Sequence, residues 1–224
     1  MAFSRADLQD LAAIHVRDAI PPEPLAAALS SPPFIPTRSL VNVRDLGAVP
    51  GSAIRPGRIF RSGMLDAAAA DPDALAWLAA NVGTVFDLRT YKPTIRAVLE
   101  HVRDKPQEPF LFHCTAGRDR TGVVAGLLQT LAGTEQPDVI FDYMLSRIGT
   151  EQARDRLVVF IKAALGVDDP ETPGFWNMAS LRPTFWKAFV EGVDAEFGGW
   201  DGYVTEALGF SVDDLETIKK NLRA

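Results

Sequence analysis

The residues most able to do chemistry are concentrated in one ten-residue segment near the middle of the chain. The segment reads HCTAGRDRTG at residues 113–122, between the apolar run FLF and the apolar stretch VVAGLL. Cys114 is the only cysteine in the chain, and five residues separate it from Arg120. A strand, a glycine-containing loop and a helix in this order direct several backbone N–H groups and the positive end of the helix into one concavity. The pattern therefore predicts a binding site for an anion, most simply a phosphate.

Within this segment, the residue types indicate attack by a thiolate on the bound anion. The pKa of a cysteine falls at a helix N-terminus beside cations, and Cys114 has such a helix and Arg118 nearby. Arg120 can hold two phosphate oxygens through its planar guanidinium, which a lysine cannot match. The Thr121 hydroxyl could donate a hydrogen bond to the sulfur when it leaves, and Asp119 could supply the proton for the leaving alcohol. The predicted substrate-binding residues are Thr115, Ala116, Gly117, Arg118, Thr121 and, from an upstream strand, Arg61.

Cys114 and His113 could each have a purely structural role, and the sequence favours that role for His113 only. A buried structural cysteine at the end of a strand would explain neither the glycine nor the arginine at this spacing, so we set it aside for Cys114. For His113 the simpler interpretation is preferred, in which the imidazole orients the loop through a hydrogen bond and transfers no proton.

The segment resembles the active-site signature of the cysteine-based protein tyrosine phosphatase superfamily. Its full form is similar to a branch of atypical tyrosine and dual-specificity phosphatases whose loop reads HCxxGKDRTG, some of which also act on phosphoinositides. Arg118 stands where that branch commonly has lysine, so the charge is kept while its geometry changes. The resemblance extends to NVRDLG at 42–47, RPGRIFRSG at 55–63 and FDLR at 86–89. It implies a phosphocysteine intermediate and a reaction that needs neither a metal nor another cofactor.

Two aspartates are candidates for the general acid. Asp119 follows the pattern of the resembled branch, in which the loop aspartate protonates the leaving group. Asp87, at the end of a neighbouring predicted strand, resembles the aspartate that other phosphatases place on a separate loop. Asp119 is preferred, because its place in the loop keeps it within reach of Cys114. The simpler interpretation of Asp87 is a structural partner of Arg89 or Arg61.

The leading functional hypothesis is hydrolysis of phosphate monoesters, with a phosphorylated protein as substrate and protein-tyrosine or dual specificity. A phosphoinositide phosphatase is the alternative, favoured by Arg118 and by three possible rim residues, Arg58, Arg61 and Arg89. Sulfur transfer at a similar loop is disfavoured by the arginine and the aspartate of the loop. A non-catalytic phosphate-binding module is the hypothesis from another class, and it usually requires the loss of the cysteine, the arginine or the acid.

Composition limits the other classes of function. The chain has 23 Lys and Arg against 29 Asp and Glu, a formal net charge of −6 at pH 7, which argues against general binding to nucleic acids or anionic membranes. No apolar stretch suits stable membrane insertion, and no cluster of metal ligands is recognisable. A single cysteine fits a reducing compartment, so a cytoplasmic location is expected, with export without disulfides left open. Nothing in the sequence indicates the oligomeric state.

The elements around the segment alternate between strand and helix before residue 121 and are helical beyond it. Strands are predicted near residues 39–41, 58–61, 82–88 and 110–112. Helices are predicted at residues 7–20, 23–29, 71–80, 94–103, 121–131, 136–148, 151–165, 181–197, 200–208 and 211–222. We expect an α/β fold with a central, mainly parallel sheet flanked by helices and a helical C-terminal part. A single phosphatase domain over 1–224 would comprise a helical lead-in (1–37), the sheet and active-site loop (38–132) and a helical part (133–224).

Several local expectations accompany this fold. Arg44 and Asp45 are predicted to form an ion pair that holds a turn. Only residues 90–93 separate Arg89 from the next helix, whereas the resembled branch typically has a longer segment there that can cover the active site. Either the protein is open at this edge or the sequence lacks a piece. Core packing is expected of the aromatic cluster Phe175, Trp176, Phe185, Trp186 and Phe189, more than a role as a lid.

Overall fold

Four strands form the sheet that carries the active-site loop. The computed structural model describes residues 3–90 and 92–224. The strands are β1 (Arg44–Asp45), β2 (Ile59–Ser62), β3 (Thr84–Asp87) and β4 (Phe110–His113), in the order β1-β2-β4-β3. β2 and β3 run parallel to β4, and only β1 is antiparallel to its neighbour. His113 pairs with both Ser62 and Asp87, so the three parallel strands end level at one edge of the sheet.

Helices flank this sheet and make up the C-terminal part, which confirms the predicted α/β class. The α-helices are α1 (Arg5–Ala13), α2 (Pro22–Leu29), α3 (Pro72–Asn81), α4 (Lys92–Asp104), α5 (Asp119–Ala132), α6 (Gln136–Gly149), α7 (Arg154–Leu165), α8 (Phe175–Ala179), α9 (Pro183–Phe197), α10 (Trp200–Gly202) and α11 (Val212–Arg223). Short 3-10 turns occupy Asp66–Ala70, Leu88–Thr90 and Glu151–Ala153, and a π-helical turn occupies Tyr203–Ala207. No helix in the described part of the chain is long and apolar enough to cross a membrane.

Packing on the two faces of the sheet follows the alternation of its side chains. Phe110 and Phe112 belong to the main core together with residues of α4, α5 and α11. On the opposite face, Phe60 meets Trp77 of α3 with the ring centroids 5.2 Å apart. Because β2 and β4 are covered on both sides, all of their residues are buried.

Two of the predicted helices begin at side chains that cap them. The Asp71 carboxylate accepts hydrogen bonds from the amides of Asp73 and Ala74 at the start of α3. At α11, the Ser211 hydroxyl accepts from the Asp214 amide while the Asp214 carboxylate accepts from the Ser211 amide, and together they form a capping box.

The strand predicted near residues 39–41 is wrong, and the first strand lies where a turn was predicted. The Val41 carbonyl accepts only from the Gly63 amide before Asn42 turns into the left-handed region at φ 58°. That conformation interrupts any ladder, and pairing begins at Arg44. The predicted Arg44–Asp45 ion pair is also wrong, because the Asp45 carboxylate instead accepts from backbone amides and Arg44 turns to α6.

Other differences lie in the helical parts. α1 ends at Ala13 and not near residue 20, because the buried guanidinium of Arg147 takes the carbonyl of Ile14. The five-residue helix α8 was not predicted. In the aromatic cluster, Phe175 and Trp186 are buried as expected, whereas Phe185 and Phe189 are exposed. The helix predicted at residues 200–208 is divided between α10 and the π-helical turn.

Candidate active site

Residues 114–118 form a tight loop between the end of β4 and the start of α5. Cys114 follows the buried strand directly and is only 3% exposed. Gly117 adopts φ +68°, and a Cβ atom there would lie 2.5 Å from the Gly63 nitrogen and from the carbonyl group of Ser62. Only glycine fits, because any side chain would collide with the end of β2. This close approach curls the loop so that its amides point back toward the cysteine.

The polar groups around the sulfur decide the ionisation of Cys114. Burial alone would raise the pKa of its thiol. The Thr121 hydroxyl and the amides of Thr121, Gly117 and Arg118 stabilise the charged sulfur by more than burial disfavours it, and the net effect lowers the pKa of the thiol. The Thr121 hydroxyl is fully buried and has no hydrogen-bond partner among the described residues, so it is available to stabilise the sulfur when the thiolate forms. The loop therefore favours a thiolate.

Alkylation measures this ionisation directly. We expect iodoacetate to modify Cys114 at pH values well below the ordinary thiol pKa of about 8.5, because the hydrogen bonds stabilise the thiolate in the folded protein. Inorganic phosphate should slow the reaction by occupying the loop. The rate of modification as a function of pH, followed by mass spectrometry, gives the pKa. The thiol of the denatured chain is the control, and an identical pH profile for the two states would contradict the thiolate argument.

Arg120 folds back across the loop toward its first residue. Its Nη2 lies 3.2 Å from Thr115 Oγ1, and its Nη1 donates to the Arg89 carbonyl at 3.5 Å. Arg120 and Cys114 line the same cleft of about 370 Å³. Arg120 and Cys114 thus border one space, as bidentate binding of a phosphate beside the nucleophile requires. The other loop residues along this cleft are Thr115, Ala116, Arg118 and Asp119.

Asp119 and Arg118 meet at the mouth of the cleft. The Asp119 side chain is 67% exposed, and both of its carboxylate oxygens lie 3.2 Å from Nε of Arg118. Arg118 also donates to the carbonyls of Met178 and Ala179, at 3.1 and 2.8 Å. Arg118 therefore fastens the loop to the end of α8, with several of its donors already occupied. Its predicted contact with substrate stays a prediction.

Asp87 is held in an ion pair beside the loop. Its carboxylate lies 2.6 Å from Nη2 of Arg89, and the hydrogen bonds from Arg89 lower the pKa of Asp87. Asp87 is absent from the residues lining the cleft, whereas Asp119 lines it. Of the two aspartates only Asp119 borders the cleft, so the geometry favours Asp119 as the acid. His113 is buried and its Nδ1 lies 3.3 Å from the Cys114 carbonyl oxygen, as an orienting role requires.

A buried ionic network supports the loop from below. The Asp142 carboxylate of α6 accepts from Nε of Arg44 at 2.7 Å and from Nη1 of Arg61 at 2.6 Å, and both arginine side chains are 0% exposed. Nη2 of Arg61 donates to the Gly117 carbonyl at 2.8 Å. The expectation that Arg61 contacts substrate at the rim is wrong, because its guanidinium is completely buried beneath the loop. Its contact with the loop is a supporting one.

Asn42 provides a second anchor for the same carbonyl. Its Nδ2 donates to the Gly117 carbonyl at 2.7 Å, and its backbone amide donates to the Gly149 carbonyl at 2.9 Å. A Cβ atom at Gly149 would lie 2.0 Å from Oδ1 of Asn42, so glycine is required at the end of α6. The sequence reasoning did not identify Asn42 or Asp142. The available signal was an acidic residue on the same helical face as Val139, Ser146 and Gly149.

The two other proposed rim arginines are also engaged elsewhere. Arg58 precedes β2 at the amino end of the sheet, opposite the loop, and donates to Gln107. The expectation that Arg58 lies at the rim of the active site is therefore wrong. Arg89 lies close to the loop, but its guanidinium is paired with Asp87.

One face of α7 forms the wall of the cleft opposite the loop. Residues of this face recur at helical spacing, and Phe160 remains 61% exposed at the mouth of the cleft. The residues lining the cleft from this side are Ala153, Arg156, Leu157, Phe160 and Ile161, joined by Val41, Met64 and Met178 from other elements. Sequence reasoning placed a helix here without assigning it a role. Among the described residues, no group of three or more His, Cys, Asp or Glu side chains could hold a metal.

Comparison with known proteins identifies the family of this chain and of its loop. The profile of the tyrosine phosphatase family matches residues 35–93 and 90–224, which together include most of the chain and the whole active-site loop. The chain belongs to the tyrosine phosphatase family. The two matched segments meet at residues 90–93, the short connection where a longer segment was expected. Tyr91 in this connection lies outside the described residues.

Three relatives are each 28% identical to this chain over the residues that align. A protein of Cupriavidus necator, described as a candidate tyrosine-protein phosphatase, aligns over 93% of this chain and 96% of its own length. A tyrosine-protein phosphatase of Nostoc commune aligns over 58% of this chain. The triple specificity protein phosphatase PtpB of Mycobacterium tuberculosis aligns over 44%. The matched parts span only 45% and 38% of the Nostoc and mycobacterial proteins.

Proposed function

We propose that this protein hydrolyses phosphate monoesters through a phosphocysteine intermediate, with phosphotyrosine in proteins as its main substrate. The observation that carries the proposal is the environment of Cys114: it lines one cleft with Arg120, and the Thr121 hydroxyl and loop amides lower the pKa of its thiol despite burial. Membership of the tyrosine phosphatase family supports the same chemistry. The names of the relatives, which include tyrosine-protein and triple specificity phosphatases, agree with protein substrates.

The geometry suggests a reaction in two displacements at phosphorus. The Cys114 thiolate attacks, the S–P bond forms, and the bond from phosphorus to the leaving oxygen breaks as Asp119 gives that oxygen its proton. Water then attacks phosphorus and loses a proton to the Asp119 carboxylate, while the sulfur leaves as a thiolate that accepts from Thr121. Arg120 and the loop amides hold the phosphoryl oxygens through both steps. Each proton and electron pair is accounted for without a further reactant.

The walls of the cleft favour an aryl ester over a compact alkyl ester. Leu157, Phe160 and Met178 give the cleft an apolar side, which suits the ring of phosphotyrosine above the anion site. A phosphoinositide would need several free cations near the loop. Arg61 is buried and Arg118 is largely occupied by carbonyls of α8, so the inositide alternative is the weaker one. The cytoplasmic location stays a prediction.

Turnover of matched substrates tests the proposal. Phosphate release should be compared for a phosphotyrosine peptide, the same peptide with phosphoserine, and a soluble short-chain phosphoinositide. We expect the highest kcat/KM for the phosphotyrosine peptide. Binding of all three without phosphate release would instead establish a non-catalytic module, and a strong preference for the inositide would reverse the order of the two hypotheses.

The assignment of the acid is tested by varying the leaving group. Asp119→Asn should lower kcat for alkyl phosphates and phosphotyrosine by about 10²-fold or more, with a much smaller effect on aryl phosphates whose leaving groups need no proton. The change should also flatten the alkaline limb of the pH–rate profile. Asp87→Asn is the matched control, and we expect its effect to be small and independent of the leaving group. Leaving-group dependence at Asp87 in place of Asp119 would show that the protein uses a separate acid.

A further inference from the structure

Arg156 is a cation of the cleft that has no partner among the residues described by the structure. It projects from α7 into the lining of the cleft that also contains Cys114, and its side chain is exposed. Among the described residues, no carboxylate lies within 4.0 Å of its guanidinium, and no hydrogen bond fixes it. Arg118 and Arg120 differ, since both donate to groups of the protein.

The position of Arg156 on α7 is unusual for a residue that only contacts solvent. Arg156 and Phe160 are one turn apart, as are Leu157 and Ile161, and all four line the cleft. An arginine thus stands within an otherwise apolar wall that faces the site. Its planar guanidinium presents five N–H donors suited to a carboxylate, and its methylene groups can rest on the apolar wall.

We propose that Arg156 binds the carboxylate of an acidic residue flanking the phosphotyrosine, so that acidic phosphopeptides are preferred substrates. This inference rests on the function proposed above. Arg120 takes the transferred phosphate, Leu157 and Phe160 face the ring, and Arg156 remains for a second anion at the mouth of the cleft. A single unoccupied guanidinium matches a single carboxylate. The formal net charge of −6 also disfavours a bilayer rich in anionic lipids as the source of that anion.

Substrate pairs that differ by one charge test this assignment. Two phosphotyrosine peptides of the same sequence carry either Glu or Gln at the flanking positions, and kcat/KM is measured for both at low and at physiological salt. In the wild type we expect the Glu peptide to be preferred by about 10-fold, with the preference reduced by salt. Arg156→Ala should bring the ratio close to 1. Arg156→Glu should invert it in favour of a Lys-flanked peptide.

Arg154 provides the matched control two residues earlier on the same helix. It lies outside the cleft lining, with Nε 3.6 Å from an Asp155 oxygen. Arg154→Ala should keep the Glu-to-Gln ratio of the wild type. A ratio that is unchanged in Arg156→Ala, or that falls equally in Arg154→Ala, would overturn the proposal. So would a loss in Arg156→Ala that is confined to a soluble phosphoinositide, which would assign the residue to lipid headgroups.

Failure of this inference can be distinguished from failure of the proposed function. Turnover of both peptides by the wild type at equal kcat/KM would reject the role of Arg156 and leave the phosphatase activity standing. Absence of turnover for every phosphotyrosine peptide would reject both. Because Arg156 is exposed and has no intramolecular partner in the described structure, its variants should unfold at the wild-type temperature, which calorimetry can verify.

Discussion

Cys114→Ser is expected to lower kcat by at least about 10⁴-fold while leaving phosphate binding close to that of the wild type. The serine hydroxyl has a far higher pKa than a thiol, so the hydrogen bonds that stabilise a thiolate at this position cannot produce an alkoxide. The anion cradle itself, made of loop amides and Arg120, does not depend on the sulfur. Turnover should be measured with a phosphotyrosine peptide, and binding by calorimetry with inorganic phosphate.

Arg120→Ala is the variant with which Cys114→Ser should be compared. Loss of the guanidinium should weaken both binding and turnover, because Arg120 is expected to hold the phosphate oxygens in the ground state and in the transition state. The serine variant should therefore separate binding from catalysis, whereas the alanine variant should not. Turnover by Cys114→Ser within about 10-fold of the wild type would rule out the cysteine as the nucleophile.

Asp142→Asn is expected to reduce the free energy of unfolding by about 3–5 kcal/mol. The carboxylate is nearly fully buried and is shared by the guanidinium groups of Arg44 and Arg61. An amide would place an N–H group against one of these donors and leave two buried cations without a counter-charge. Urea denaturation followed by circular dichroism measures the change. We also expect lower activity, because Arg61 helps to fix the Gly117 carbonyl.

Asp138→Asn is the matched control one turn earlier on α6. Asp138 pairs with Arg5, but this pair is more exposed to water than the pairs of Asp142. The change should cost only about 0–1 kcal/mol. Equal losses at the two positions would contradict the special role assigned to the buried network.

The pH dependence of this stabilisation has a definite sign. Burial raises the pKa of Asp142, but Arg44 and Arg61 lower it by more, so the pKa is depressed in the folded state. Such a carboxylate contributes its full stabilisation above the ordinary Asp pKa of about 3.9 and loses it as the pH falls through the folded-state pKa. The difference in stability between wild type and Asp142→Asn should therefore shrink as the pH is lowered below about 4.

The local parts of the fold and the site could be predicted from the sequence. The loop between Cys114 and Arg120 is contiguous, so strand, glycine and helix start are all determined by neighbouring residues. The same holds for the cap at Asp71 and the capping box at Ser211, where residues no more than three positions apart hydrogen-bond to each other. Periodicity located β2, β3 and β4 and most helices within a few residues.

The contacts that could not be predicted join residues far apart in the chain. Arg44 was assigned to its neighbour Asp45, whereas its partner is Asp142 on another helix. Arg61 was placed at the rim as a cation that could bind substrate, and only the tertiary structure supplies the carboxylate that allows its burial. The cleft wall formed by α7 was missed for the same reason, since helical periodicity identifies an apolar face without identifying what it faces.

The anchoring of the Gly117 carbonyl has a consequence for the order of folding. The two groups that hold it lie 75 and 56 residues away, and the arginine among them is fixed in turn by Asp142, a further 81 residues from it. Such distant contacts form only after the entropic cost of closing long chain segments has been overcome. The loop can thus reach its final geometry only once α6 has docked against the sheet. We therefore expect the reactivity of the single thiol to be acquired late in folding.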